Sequence, residues 1–140
     1  MIYLAQTDTT AGFLSKNLKE LNKIKNRNEN QPCLITVSKL KELNKLTRIP
    51  DKFKNLVRKA KKTTFLYPNK KAIRVVKNSP HSKFLDEHGW MYSTSANLHG
   101  EKFDLNYAKS VCDIAVDDEF FEDLPSKIYK ISNTNIKKIR

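Results

Sequence analysis

The sequence is poor in the residues that build disulfide scaffolds, zinc modules and membrane spans. It has two cysteines, Cys33 and Cys112, and neither a C-x-x-C pair nor a Cys/His spacing that binds metal. No apolar run approaches the ~20 residues of a transmembrane helix, and no basic leader precedes the first apolar residues. We therefore expect a cytoplasmic protein with no membrane partner, whose cysteines stay reduced as small buried hydrophobes.

Positive charge is in excess. The 140 residues include 27 Lys and Arg against 15 Asp and Glu, a net charge of +12. Such an excess points to a polyanionic partner, such as RNA or nucleotide phosphates. Joint enrichment in lysine and asparagine is also what an AT-rich genome produces, so charge alone leaves this open. The densest run, which we expect to contact RNA phosphates, is Lys52, Lys54, Arg58, Lys59, Lys61 and Lys62.

Apolar periodicity alternates strands with helices along the whole chain. The length fits one domain over residues 1–140. Joined by short turns, these elements predict an α/β fold with one twisted mixed sheet flanked by helices. The strands are expected at Ile2–Gln6, Cys33–Val37, Thr63–Tyr67, Ala72–Val76, Trp90–Ser93, Ile114–Val116, Lys127–Ile131 and Ile136–Ile139. The helices are expected at Leu14–Ile24, Lys39–Leu46 with Ser38 as N-cap, Asp51–Lys61, Pro80–His88 between Ser79 and Gly89, and Asp104–Ser110.

Three polar loops follow strands or helices, where ligands bind in open α/β sheets. Thr7–Gly12, before the predicted helix, is either an anion cradle or an ordinary N-cap. Ser93–Gly100 is either a hydrogen-bonding pocket wall or a solvated loop. The three histidines, His81, His88 and His99, show no ligand spacing and are expected to face solvent.

The third loop carries Lys25 and Arg27, which either clamp a triphosphate or simply complement the end of a helix. In a regular helix these residues point about 200° apart. A shared ligand therefore requires the helix to end near Lys25. Asn26, Asn28 and Asn30 favour such a break, because asparagine is a poor mid-helix residue.

Taken in order, the motifs resemble the YrdC-like family of threonylcarbamoyl-adenylate synthases. The family's P-T-[ED]-T-x-Y-G-L, K-x-R and N-P-L-I-V-H-V are similar to Gln6–Phe13, Lys25-Asn-Arg27 and Gln31–Val37. Its T-x-x-L and R-V-P are similar to Thr64–Tyr67 and Ile73-Arg74-Val75. Its S-A-N-x-[SH]-G, S-T-[VI]-[VI] and terminal arginine are similar to Ser95–Gly100, Ser126–Tyr129 and Arg140.

The resemblance implies a nucleotidyltransferase that makes threonylcarbamoyl-AMP and pyrophosphate from L-threonine, bicarbonate and ATP. The product serves N6-threonylcarbamoyladenosine formation in tRNA, together with tRNA threonylcarbamoyl-transferase proteins. Mg2+ is expected to arrive with the nucleotide, with no metal site in the protein. The implied catalytic residues are Lys25, Arg27, Ser95 and Asn97; ATP would also meet Gln31 and Arg140; L-threonine would meet Thr7, Thr9, Arg74, Ser93 and Ser126.

Several positions depart from the family pattern. Ala11 stands at the aromatic of Y-G-L, Thr36 at the histidine of I-V-H-V, and Lys127 at the second residue of S-T-V. The acidic run that starts at Asp117 replaces a glycine-rich segment, and the N-terminal part is expected to be shortened. The alternative function is a non-catalytic module of the same fold that holds double-stranded RNA or tRNA.

Overall fold

The computed structural model describes residues 1–98 and 100–140, which form two compact units. The first unit comprises residues 1–33 and 91–124, and the second comprises residues 34–90 and 125–140. The strands are β1 (Tyr3–Gln6), β2 (Ala11–Ser15), β3 (Leu34–Val37), β4 (Thr63–Leu66), β5 (Ala72–Val75), β6 (Trp90–Ser95), β7 (Ile114–Ala115), β8 (Lys127–Ile131) and β9 (Ile136–Lys138). The helices are α1 (Leu18–Ile24), α2 (Leu40–Leu46), α3 (Lys54–Lys59), α4 (Pro80–His88) and α5 (Leu105–Val111).

In the first unit, the strands form a mixed sheet in the order β7-β1-β2-β6. The pair β1/β7 is parallel, whereas β1/β2 and β2/β6 are antiparallel. Helices α1 and α5 contribute Leu21 and Ala108 to a core built around Leu4 and Phe13. Full burial of a leucine or phenylalanine contributes about 1.5–3 kcal/mol, so this core anchors the loops at the strand ends.

In the second unit, β3 pairs with β5 in parallel and β4 pairs with β5 antiparallel. Strand β8 adds to β4 in parallel, and β9 returns antiparallel to β8. Both units thus combine a mixed sheet with flanking helices, and the predicted α/β fold class is confirmed. The prediction of a single domain over residues 1–140 stays a prediction.

The helix predicted over Leu14–Ile24 is wrong in its first half. Residues Ala11–Ser15 form β2, whose five residues are all buried, so the strand lacks the alternation that marks a half-exposed strand. Helix α1 begins only after Asn17, whose side chain accepts a hydrogen bond from the N–H of Glu20. The loop Thr7–Thr10 therefore closes a β-hairpin, and the expected helix N-terminus beside it is absent.

Other local expectations need correction. Ser38 does not cap α2; Lys39 occupies the N-cap position, and the Ser38 hydroxyl donates to Asp86. The helix expected over Asp51–Lys61 is a 3-10 turn (Asp51–Phe53) followed by α3. Leu56, which the apolar spacing of that helix predicts to face the core, is exposed to solvent.

Helix α4 has the predicted bounds, with Ser79 before it and Gly89 after it at φ 81°. His81 is buried, with 4% of its surface exposed, rather than facing solvent, because it lies one turn before the buried Leu85. His99 lies outside the described residues. Cys33 and Cys112 are half-buried, contrary to the prediction of buried hydrophobes. Among the described residues, no helix combines the length and the apolar character needed to span a membrane.

Candidate active site

The first unit brings Lys25 together with Ser95 and Asn97. Lys25 is 3% exposed, and its Nζ donates to the carbonyl oxygen of Ser95 at 2.8 Å and to the carbonyl oxygen of Asn97. The Ser95 Oγ and the Asn97 Oδ1 lie 3.5 and 3.2 Å from the same nitrogen. The ammonium thereby fixes the segment that leaves the end of β6, and residues some 70 positions apart meet at one point.

A Schellman motif at the end of α1 explains how Lys25 and Arg27 come to lie in one turn. Asn26 takes a left-handed conformation at φ 58°. Its N–H donates to the carbonyl oxygen of Lys23 at 3.2 Å, and the N–H of Arg27 donates to that of Asn22 at 2.9 Å. The helix ends at Ile24, as the asparagine-rich sequence predicted.

The side chain of Asn22 organises the turn that follows. Asn22 is fully buried, and its Nδ2 donates to the carbonyl oxygens of Glu29 and Gln31 at 3.1 and 2.9 Å. Its Oδ1 accepts from the thiol of Cys33 at 3.6 Å. Sequence reasoning missed Asn22; its only signal is an asparagine within a helix, where it is disfavoured unless its side chain has a structural partner.

Arg27 lies beside Cys33 and Thr94. Its Nη2 is 3.3 Å from the Cys33 sulfur and 3.4 Å from the Thr94 hydroxyl oxygen. Burial raises the pKa of the Cys33 thiol, and the Arg27 cation opposes that rise. Within residues 1–98 and 100–140 the buried Nε of Arg27 has no hydrogen-bond partner, so the guanidinium retains donor capacity.

Burial and the Arg27 cation lower the pKa of Lys25 from 10.5 to about 8. Between about pH 8 and 10.5 the folded chain has lost this proton while the unfolded chain keeps it. The free energy of unfolding should therefore rise with pH across this window, by at most about 1.4 kcal/mol per pH unit from this group.

Urea titrations of the wild type and Lys25→Met between pH 7 and 10 test this expectation. The unfolding free energy of the wild type should rise relative to that of Lys25→Met as the pH increases across the window. Parallel pH curves for the two proteins would contradict a lowered pKa at Lys25.

The loop at the tip of the β1/β2 hairpin is built on Thr7. The Thr7 hydroxyl donates to the carbonyl oxygen of Thr10 at 2.6 Å and accepts from the N–H groups of Thr9 and Thr10 at 3.3 and 3.2 Å. Gly12 packs against it, because a Cβ there would lie 2.7 Å from the Thr7 methyl group and 3.7 Å from the hydroxyl oxygen of Ser93. Glycine thus allows the side chains of Thr7 and Ser93 to lie close to β2 at this position.

The second unit brings Ser126, Thr64 and Arg140 together. Ser126 is buried, its hydroxyl lies 3.1 Å from that of Thr64, and Arg140 donates from Nη2 to the Ser126 Oγ at 3.1 Å. The Arg140 Nε also donates to the Ser126 carbonyl oxygen at 3.0 Å. Sequence reasoning missed Thr64 as a contact of this group, although it lies in a motif used for the resemblance.

Arg74 belongs to the same unit and lies opposite Thr64 in the β4/β5 pair. Only 5% of its surface is exposed. An arginine buried to this extent is rare in proteins unless its charge is paired. Gln31, by contrast, is exposed, and its backbone supports the turn through the Asn22 contact. The binding roles assigned to all these residues stay predictions.

Solved structures with a similar fold include those of three different proteins. P. abyssi Sua5 in complex with L-threonine has a TM-score of 0.81 and 16% identity over 99% of this chain and 49% of that chain. E. coli YciO has a TM-score of 0.74 and 17% identity over 99% and 82%. Full-length HypF, in its phosphate- and nucleotide-bound form, has a TM-score of 0.73 and 13% identity over 99% and 26%.

The chain thus spans about half of the length of that Sua5 chain. Comparison with curated protein sequences gave no match. A family model for Sua5, YciO and YrdC, described as telomere recombination, matches residues 5–140. The chain therefore belongs to the Sua5/YciO/YrdC family, in agreement with the resemblance of its motifs.

Proposed function

We propose that the protein is an L-threonylcarbamoyladenylate synthase, which makes threonylcarbamoyl-AMP and pyrophosphate from L-threonine, bicarbonate and ATP. The observation that carries the proposal is the contact of Lys25 with Ser95 and Asn97, which joins two motifs about 70 residues apart at one point. The structural similarity to Sua5 bound to L-threonine and to nucleotide-bound HypF supports the same ligand classes.

In the first unit, Arg27 makes the direct contact with the ATP phosphates. Its guanidinium has an N–H group without a partner among the described residues, and its planar shape suits bidentate phosphate binding. Lys25 holds Ser95 and Asn97 in place for the nucleotide and adds positive charge near the phosphates. The neutral amino group of L-threonine first combines with bicarbonate to form a carbamate, with loss of water. A carbamate oxygen then attacks the α-phosphorus of ATP and displaces pyrophosphate, so positioning and charge neutralisation supply most of the catalysis. Mg2+ enters bound to the nucleotide phosphates.

In the second unit, Arg74 binds the carboxylate of L-threonine. We expect Arg74→Lys to weaken threonine binding by about tenfold or more, because lysine keeps the charge but loses the planar fork of guanidinium donors. Affinity for ATP should change much less. Isothermal titration with each ligand separates the two effects.

The matched control for Arg74→Lys is Arg58→Lys, an exposed position in the same unit. It should leave both affinities at the wild-type value. Equal weakening of threonine and ATP by Arg74→Lys would show instead that Arg74 supports the fold of the unit.

Release of pyrophosphate that requires both L-threonine and bicarbonate tests the proposed activity. Mass spectrometry of the same reaction should show threonylcarbamoyl-AMP as the product. Pyrophosphate release that is independent of threonine, or no release at all, would contradict the proposal. Transfer of the product to tRNA would then require tRNA threonylcarbamoyl-transferase proteins as partners.

A second candidate function, binding of double-stranded RNA or tRNA, is favoured by the division of charge between the units. Residues 34–90 and 125–140 carry 20 Lys and Arg against four Asp and Glu, a net charge of +16. Residues 1–33 and 91–124 carry seven against eleven, a net charge of −4. Of those 20 cations, every one except Arg74 is exposed.

Two contacts within the second unit place some of these cations beside neighbouring elements. Lys71 donates to the carbonyl oxygen of Leu46 at 3.2 Å, which places the β4/β5 turn beside α2, and Lys77 donates to that of Arg58, which places the end of β5 beside α3. We use the name basic face for the eleven exposed cations between residues 45 and 77, which are Lys45, Arg48, Lys52, Lys54, Arg58, Lys59, Lys61, Lys62, Lys70, Lys71 and Lys77. Three of its cations, Lys45, Arg48 and Lys54, line a cleft of about 360 Å³.

Acidic residues hardly offset this face. Between residues 42 and 85 the sequence contains two acids, Glu42 and Asp51, which pair with Lys45 at 3.3 Å and with Lys54 at 2.9 Å. Double-stranded RNA is recognised mainly through its shape and phosphates, which a lysine-rich surface suits.

A further inference from the structure

An acidic segment, residues 117–124, crosses the hairpin loop that carries Thr7 and Thr9. It contains five acids and no basic residue in a chain of net charge +12. The segment occupies the place where the family pattern has a glycine-rich stretch. Its contacts with Gln6, Thr9 and Phe103 lie within the first unit.

Gln6 contacts the acidic segment at two points. The N–H of Gln6 donates to the Asp117 Oδ2 at 2.8 Å, and its Oε1 accepts from the N–H of Phe121 at 3.0 Å. Its Nε2 donates to the carbonyl oxygen of Thr7 at 3.2 Å. Backbone and side chain of one glutamine therefore connect two points of the segment with the start of the loop.

The acidic segment in turn holds the loop at Thr9. The N–H of Asp123 donates to the Thr9 carbonyl oxygen at 2.7 Å. The segment is itself anchored, because Phe120 packs against the core with its ring 5.5 Å from that of Phe103. The N–H of Val116 adds a bond of 2.7 Å to the carbonyl oxygen of Leu4. The Thr9 backbone is thus fixed by a segment with its own attachment to the core.

These contacts explain two departures from the family pattern together. The pattern has proline where this chain has Gln6, and proline has no N–H to donate. The N–H at position 6 goes to Asp117 rather than to the neighbouring strand, so either residue suits the strand at this position. Here the glutamine and the acidic segment supply by hydrogen bonds the rigidity that a proline ring would give the loop entry.

We propose that Gln6 is a positioning residue for L-threonine binding. Together with Asp117, Phe121 and Asp123 it fixes the backbone of the Thr7–Thr10 loop, so that Thr9 presents its hydroxyl to the amino acid in one arrangement. The Thr7 hydroxyl holds the turn itself through its bonds to Thr9 and Thr10. The two hydroxyl oxygens lie 3.4 Å apart, and both residues are buried. This inference rests on the proposed function.

Three variants test the role of Gln6. Gln6→Met keeps the length of the side chain and removes its hydrogen bonds, and Asp117→Ala removes the bond to the Gln6 backbone. Asp118→Ala is the matched control, because it removes the same charge from an exposed neighbour. Isothermal titration gives the affinities for L-threonine and for ATP, and amide hydrogen exchange reports on Thr9, Thr10 and Phe121 without any ligand.

Gln6→Met and Asp117→Ala should each weaken L-threonine binding by about three- to tenfold, with the ATP affinity unchanged. Both should speed exchange at Phe121 and at the loop amides, and Asp118→Ala should match the wild type throughout. If the wild type binds threonine and Gln6→Met binds it equally well, the inference is overturned and the proposed function stands. A wild type that binds ATP but no threonine overturns the proposed function, and the positioning role with it.

Discussion

Arg27→Ala should reduce ATP affinity by about 10- to 150-fold, while the protein keeps most of its stability. The loss of a hydrogen bond to a charged group costs about 1.5–3 kcal/mol, and each 1.36 kcal/mol is a factor of ten. The Arg27 guanidinium contacts the Cys33 sulfur and the Thr94 hydroxyl oxygen at distances of 3.3 and 3.4 Å. The sulfur is a weak acceptor, and the distance to the oxygen is long for a hydrogen bond. We therefore expect little of the fold to depend on the guanidinium. Threonine-dependent pyrophosphate release should fall by at least the same factor.

Lys25→Ala should also weaken ATP binding, and in addition it should lower the free energy of unfolding. Its ammonium is buried among oxygens of Ser95 and Asn97, whose carbonyl groups would lose their donor. We expect a loss of stability of about 1.5–3 kcal/mol, the range for hydrogen bonds to a charged group. The loss should be larger near pH 10 than near pH 7, because burial disfavours the ammonium form and lowers the pKa of Lys25. The two members of the K-x-R pair thus have different roles in the proposed site. Arg27 binds the ATP phosphates, whereas Lys25 mainly stabilises the segment that carries Ser95 and Asn97.

The control for both variants is Lys109→Ala, an exposed lysine on α5 in the same unit. It should leave ATP affinity, pyrophosphate release and urea stability at wild-type values. Circular dichroism and urea titration of all three variants separate binding from folding. If Lys25→Ala and Arg27→Ala equal the wild type in ATP affinity and in pyrophosphate release, the pair merely complements the helix end, and the proposed enzyme loses its main support.

Local signals in the sequence predicted the elements that depend on backbone chemistry. Pro80 at the first helical position and Gly89 after the last residue gave the bounds of α4, because proline is preorganised there and glycine accepts a positive φ. The break after Lys25 followed from asparagines, one of which takes the left-handed conformation.

Apolar spacing gave a wrong prediction of secondary structure for an element that is buried on both faces. Leu14 continued the helical spacing of Leu21 and Ile24, yet it belongs to the fully buried strand β2. The capping pair Asn17 and Glu20 marks the true start of α1, and it outweighs the apolar period there.

Sequence patterns could not predict the contacts between residues that are distant in the chain. The motifs indicated that Lys25, Ser95 and Asn97 act together, but nothing in them shows which groups the ammonium contacts. The bond between Gln6 and Asp117 joins residues 111 positions apart and arises from the packing of β1, β2 and β7. Such pairings follow from the tertiary fold, which overrides local preference.

RNA binding by the basic face should show a steep dependence on salt. With about six phosphate contacts, affinity for a 20-base-pair RNA duplex should fall roughly a thousandfold between 50 and 200 mM salt, because each neutralised phosphate releases counterions. Fluorescence anisotropy of a labelled duplex gives the slope of log affinity against log salt. Lys102→Ala/Lys109→Ala, in the first unit, should leave that slope unchanged.

Arg58→Ala/Lys59→Ala should reduce the magnitude of the same slope by about one to two, since two phosphate contacts are lost. Both positions are exposed on α3, so the change should not affect the fold. Pyrophosphate release should remain at the wild-type rate, because neither residue belongs to the proposed active site. The proposal would be contradicted if duplex affinity did not depend on salt, or if the double variant had the same salt slope as the wild type. The positive charge of the second unit would then serve another purpose. Duplex binding without pyrophosphate release by the wild type would favour the RNA-binding module over the enzyme.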